Sequence, residues 1–129
     1  MLMDTGADIS ILPAHLYENT KDEYKQPLQI SDKNIKAGNN TKCDTKGMAE
    51  IQLRIESCEK ERMRFKQKFY VCGDATTPIL GTDFMWDNWG VIDMRRQWIA
   101  LWDKKVPCFD RFLCDPVNQI SLCNDYILF

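Results

Sequence analysis

The chain opens on apolar residues, Met1 to Met3, meets Asp4-Thr5-Gly6-Ala7-Asp8, and returns to apolar character over Ile9 to Leu12. Two short apolar segments flanking turn residues predict strand, turn, strand, with Pro13 ending the second piece. "PAHLYENTKDEY" has a helix-compatible start, because proline suits a first helical turn and Leu16-Tyr17 offer an apolar edge. It turns polar by Asn19 and supports at most a short helix, with His15 as a surface residue. From Pro27 the period shortens to two. "PLQIS" leads into a stretch where Ile51, Leu53 and Ile55 alternate with Gln52 and Arg54, the pattern of a strand with one wet and one buried face. After the charged turn "CEKERMR", Phe65, Phe69 and Val71 repeat the alternation. Between the extended pieces, "AGNNT" predicts a hairpin, since Gly38, Asn39 and Asn40 tolerate the positive φ of tight turns.

The grammar changes again at "TPILGTDFMWDNWGVIDMRRQWIALW". Ile79-Leu80 reads as a short strand, followed by Gly81 and then by Phe84, Met85 and Trp89 at helical spacing, with Gly90 ending the helix and Thr82 or Asp83 capping it. "VIDM", "RR" and "WIALW" predict a closing hairpin. From Asp103 to Phe129 there are two prolines and no sustained period, and this segment is left unassigned. Many short strands with one real helix predict an all-β fold, a small closed barrel or sandwich.

Composition narrows this picture. A chain of 129 residues with 44% hydrophobic content suits one domain with a modest core. Lys plus Arg number 17 against 19 Asp plus Glu, so no overall basic field argues for nucleic acid or an anionic membrane as partner. Six cysteines (Cys43, Cys58, Cys72, Cys108, Cys114, Cys123) form no CxxC pair, and a single histidine leaves a zinc site poorly supplied. They read as small apolar residues, Cys72 most clearly. Neither a signal-peptide core nor a long apolar run is present, which predicts a cytoplasmic setting with reduced thiols.

Asp4-Thr5-Gly6 carries the candidate chemistry. A carboxylate at the tip of a loop leaving buried strands can serve as a general base on water when neighbours hold its geometry. Glycine lets backbone amides approach the carboxylate, and threonine can lock the loop by hydrogen bonding. Alone the tripeptide is also an ordinary turn. Its context is more specific: apolar residues precede it, "ADISILP" follows, "IKAGNNTKCDTKGMAEIQL" comes next, and "TPILGTDFMWDNWGVID" lies some way beyond. These blocks, in this order, resemble the retroviral-type aspartic proteases, the retropepsins, and most of all those of long-terminal-repeat retrotransposons.

The resemblance covers residues 1–102 as a protease domain and leaves 103–129 as an unassigned extension. It implies a homodimer in which two copies of Asp4 face each other, one protonated while the other activates the water that attacks a peptide carbonyl. Asp4, Thr5 and Gly6 would be the catalytic set, with Thr5 bonding across the dimer and Gly6 presenting its amide. Ala7 and Asp8 would contact substrate main chain, and Gly38, Asn39 and Asn40 would form the tip of a flap over an extended peptide or polyprotein. Ile79, Leu80 and Gly81 would pass behind the loop and support it, while Asp83, Asp87 and Asp93 would be helix-end or turn acids. No metal or organic cofactor is implied, and the setting would be the cytoplasm or a retroelement's virus-like particle. The family has a further strand before the one leading into Asp-Thr-Gly, whereas Asp4 stands three residues from the start. That difference supports a rival expectation, a catalytically silent or truncated domain serving as a dimerisation and peptide-binding module.

Overall fold

The structure, a computed structural model, describes residues 1–31, 35–36 and 42–107. It is mostly β-sheet, with few and short helices. In chain order the elements are β1 (Leu2–Met3), β2 (Ile11–Pro13), α1 (Ala14–Asn19), β3 (Thr45–Glu56), β4 (Arg62–Cys72), β5 (Ile79–Leu80), α2 (Thr82–Asp87), β6 (Val91–Asp93), β7 (Trp98–Leu101) and β8 (Lys104–Pro107). A 3₁₀ turn over Asp22–Tyr24 follows α1.

The β3–β4 ribbon organises the molecule, and its alternation is the reason it forms. On β3, Ala49, Ile51, Leu53 and Ile55 are buried, and on β4, Phe65, Phe69 and Val71 are buried. Side chains alternate faces along a strand, so one face of the ribbon is core and the other is solvent. The pairing is antiparallel from Gly47 opposite Val71 to Glu56 opposite Arg62, with a register shift between Thr45 and Gly47. Gly47 takes φ 143°, and a Cβ there would lie 2.6 Å from the carbonyl oxygen of Gln29, so this irregularity needs glycine. The backbones of Gln29 and Met48 bond reciprocally at 2.8 and 2.9 Å, which lays the Gln26–Gln29 segment along the outer edge of β3.

Sheet order is β1-β5-β2-β4-β3, and a separate sheet has the order β6-β7-β8. Among the described residues both sheets are open. The expected closed barrel is therefore corrected: β1 and β3 are the edges of the larger sheet, and neither pairs with a strand of the smaller one. β1 joins this sheet through two pairs, Leu2 with Ile79 and Met3 with Leu80.

The core lies against the inner face of the ribbon. Leu12 of β2, Leu80 of β5, Phe84 and Met85 of α2, and Ile99, Leu101 and Val106 of the smaller sheet join it. Phe84 meets Phe65 edge-on at a ring separation of 5.4 Å, which ties the short helix to the ribbon. Leu16 and Tyr17 of α1 are half-buried against the same cluster, and His15 is exposed.

Three sequence expectations change in detail. The N-cap of α2 is Gly81, with no side-chain cap bond, so Thr82 and Asp83, both inside the helix, do not cap it. The helix ends at Asp87, so Trp89 lies beyond it at φ 52° and is 69% exposed rather than on a buried helical face. The chain closes the helix by bonding Gly90 N–H to Met85 O at 2.7 Å, a bond of the kind that satisfies last-turn carbonyls. The strand β8, Lys104–Pro107, pairs antiparallel with β7, so ordered sheet continues past residue 102. The rest of the expected extension, 108–129, lies outside the described residues.

Candidate active site

Asp4 leaves β1 at a turn whose bonds are local and specific. Ala7 N–H donates to Asp4 O at 3.1 Å, closing a four-residue turn, and Gly6 N–H donates to Asp4 Oδ1 at 2.8 Å. An aspartate bonding the backbone two residues on is common in turns and does not by itself mark a site. What distinguishes this loop is its placement. β5 lies between β1 and β2, parallel to the first and antiparallel to the second, so the loop from Asp4 to Ser10 straddles the end of β5.

The loop is bonded to the segment beneath it at three points, Asp4, Ala7 and Ser10. Asp4 N–H donates to Leu80 O at 2.9 Å, and Thr82 donates to Ala7 O through its N–H at 2.8 Å and its hydroxyl at 3.2 Å. Gly81 runs so close underneath that a Cβ would sit 2.5 Å from Ile9 O and 2.7 Å from Ala7 O. Those are backbone atoms with little room to yield, so only glycine fits. Ile79, Leu80 and Gly81 thus lie directly against the loop that carries Asp4.

Asp4 is half-buried, while Thr5, Gly6 and Asp8 are exposed and Ala7 is intermediate. The carboxylate stands at the mouth of the loop with its neighbours open to solvent, which answers how an acid interrupts an apolar run without being lost in the core. Gly38, Asn39 and Asn40 lie outside the described residues. The chain on either side of them is antiparallel, Lys36 pairing with Lys42 and Cys43 N–H donating to Ile35 O at 2.8 Å. A cavity of about 270 Å³ lies between Pro27, Gln29, Met48 and Lys68, and none of Asp4 to Asp8 lines it.

A second polar group under the loop has no counterpart in the sequence expectations. Asp83, expected as a helix-end acid, does accept from Phe84 N–H at 2.8 Å, yet it also accepts from the hydroxyl of Ser10 at 2.7 Å and from Ser10 N–H at 3.1 Å. Gln67 Nε2 donates to Asp83 Oδ2 at 3.0 Å, and Gly81 N–H donates to Ser10 Oγ at 3.1 Å. Ser10 is fully buried and Gln67 is 4% exposed, so this network joins the far end of the loop to β4 and α2 inside the core. The available signal was polar residues at inward positions: Ser10 within "DISILP", and Gln67 in phase with Phe65 and Phe69.

Among the described residues the cysteines form no ligand cluster. Cys72 is buried and Cys43 and Cys58 are free thiols, with burial pushing the Cys72 thiol up to about 11. Among the described residues no group of three or more His, Cys, Asp or Glu is placed to hold a metal ion, and no helix is long and apolar enough to cross a membrane. No family model, curated protein or solved structure matches the chain.

Proposed function

We propose that this chain is the protomer of a homodimeric aspartic endopeptidase of the retropepsin type, in which Asp4 of each copy supplies one of two catalytic carboxylates. The observation that carries the reading is the loop from Asp4 to Ser10, which straddles β5 and is bonded to Leu80, Thr82 and Asp83 while its acid faces outward. A plain surface turn needs neither a glycine packed under it nor a buried network at its end.

In this reading two protomers meet about a two-fold axis with their Asp4 loops opposed. Two carboxylates sharing one site hold one proton between them, because placing two negative charges that close is costly. The ionised partner takes a proton from water as it attacks the scissile carbonyl, and the protonated partner donates to the carbonyl oxygen. The leaving amine then receives a proton. Gly6 N–H, already 2.8 Å from Asp4 Oδ1, orients the acid, and the exposed Thr5 hydroxyl is free to bond across the axis. Ala7 and Asp8 lie beside the acid, where an extended polyprotein segment would run with alternate side chains in apolar pockets.

Peptide cleavage at mildly acidic pH, beside an Asp4→Asn variant, tests this. Cleavage by the parent and its loss by at least about a thousandfold in the variant, with both proteins folded, is the expected result. Equal residual activity in the two would assign the cleavage to a contaminant and end the proposal. A folded, dimeric and inactive parent would leave the peptide-binding module as the better reading.

A further inference from the structure

A net charge of -2 hides where the charge sits. On the solvent face of the ribbon, β4 presents Arg62, Arg64, Lys66 and Lys68 at every second position, all exposed, and β3 adds the half-buried Arg54 beside them. Alternate positions on a strand are about 6.8 Å apart, so the row of four extends about 20 Å. Arg54 and Arg64 are direct cross-strand partners, and Lys66, opposite Gln52, is diagonal to Arg54. Like charges in that relation destabilise a sheet.

Five cations away from this face have carboxylate partners, Lys25 with Asp22, Lys46 with Asp44, Lys60 with Glu56, Arg96 with Asp93, and Lys104 with Glu61, while Lys21, Lys36, Lys42, Arg95 and Lys105 form no ion pair among the described residues. Among the described residues Arg54, Arg64, Lys66 and Lys68 have none. Acids are not scarce, since they outnumber bases 19 to 17. They stand only at the two ends of the row, Glu50 opposite Lys68 and Glu56 opposite Arg62. The middle of the face is purely cationic or amide.

We propose that this face of the β3–β4 ribbon binds the phosphodiester backbone of a single-stranded nucleic acid. A face on which Arg54, Arg64, Lys66 and Lys68 stand together without carboxylate partners complements a chain whose every repeat carries a charge. Between Glu50 and Glu56 the outward side chains include neither an apolar anchor for a peptide nor an aromatic ring for a base to stack on. The contact is therefore to phosphates and indifferent to sequence. A flexible single strand can follow the row, whereas a duplex curves its phosphates away from it. The binding is independent of peptidase activity, because the face contains no residue of the Asp4 loop.

The test is fluorescence anisotropy of a short labelled RNA of mixed sequence with the full chain, between about 50 and 200 mM salt. Parent protein is compared with Arg64→Gln/Lys66→Gln, and with Lys21→Gln/Arg95→Gln as a control of equal charge change at exposed positions elsewhere. For single strands each phosphate contact contributes about 0.7 to the slope of log affinity against log salt, so the parent is expected near 2 to 3 and the ribbon variant about 1.4 lower. Affinity at the lowest salt should fall about tenfold or more in the ribbon variant and hold in the control. Because the change relieves a like-charge contact, the ribbon variant should melt no lower than the parent. Equal losses in the two variants, or no salt-dependent binding by the parent, would overturn the proposal. So would displacement of the RNA by polyglutamate at matched charge, which would make the face a site for acidic polypeptides.

Discussion

Asp83 shows how one side chain can be read correctly and still incompletely. Its position at the start of α2 explains its bond to Phe84 N–H, but three further donors converge on it from Ser10 and Gln67. Removing the carboxylate leaves those donors bare in a partly buried site, at about 1–3 kcal/mol for each one that water does not reach. Asp83→Ala is therefore expected to lower the urea midpoint clearly and to loosen the Asp4 loop, seen as faster amide exchange at Asp4 and Ala7 than in the β3–β4 ribbon. A loss below about 0.5 kcal/mol would show that the network contributes little. Gly81→Ala tests the loop from beneath: overpacking against Ile9 O and Ala7 O should cost about 1–3 kcal/mol, measured in the same denaturation experiment. Cys72 makes a pH prediction. Burial raises its thiol from 9.0 to about 11, so between those values the folded state keeps a proton that the unfolded state releases, and stability falls as pH rises through that window. Thermal melts across alkaline pH should show the fall, reduced in Cys72→Ala.

The helix α2 has six residues, too few to persist alone, and its stability comes from what it packs on. Phe84 is fully buried and lies edge-on to Phe65. Phe84→Ala is expected to cost about 3–5 kcal/mol, and unfolding curves monitored by tryptophan fluorescence would measure it. The ribbon behaves in the opposite way. Its strands are long, their alternation is regular, and the pattern of Ile51, Leu53, Ile55, Phe65 and Phe69 alone places every inward residue of its central part except Gln67. Short elements were legible by another signal: β1 and β5 hold two residues each, too few to show a period, and it was the turn residues and Gly81 beside them that marked them as strands. Trp89 was less legible, since its helical spacing to Phe84 and Met85 says nothing about the helix ending at Asp87.

For the molecule as a whole, the proposed activity requires two chains, and a dimer dissociates on dilution. Specific activity should fall as protein concentration drops, and adding excess Asp4→Asn protein to a fixed amount of parent should lower cleavage through inactive mixed dimers. Activity strictly proportional to concentration, unaffected by the variant, would argue for a monomeric catalyst. The surface divides into regions with different tasks in this picture. The Asp4 loop lies where β1, β5 and β2 meet, and the cationic row lies on the outer face of β4, so charge changes on the ribbon should leave the cleavage rate of an uncharged peptide unaltered.

Sequence by itself determined the strands of the ribbon, the turn at Asp4-Thr5-Gly6 and the strand-glycine-helix order around Gly81, because each is written in local period, turn chemistry or backbone freedom. Those signals act within a few residues. Only the tertiary structure decided that β5 lies between β1 and β2, that the sheets are open among the described residues, and that Ser10, Gln67 and Asp83 share one buried network. Each of these joins residues some sixty or seventy positions apart, as Ser10 and Asp83 are separated by 73. Such contacts are set by which faces must be buried together and which donors must find acceptors once water is gone, and no local pattern carries that information.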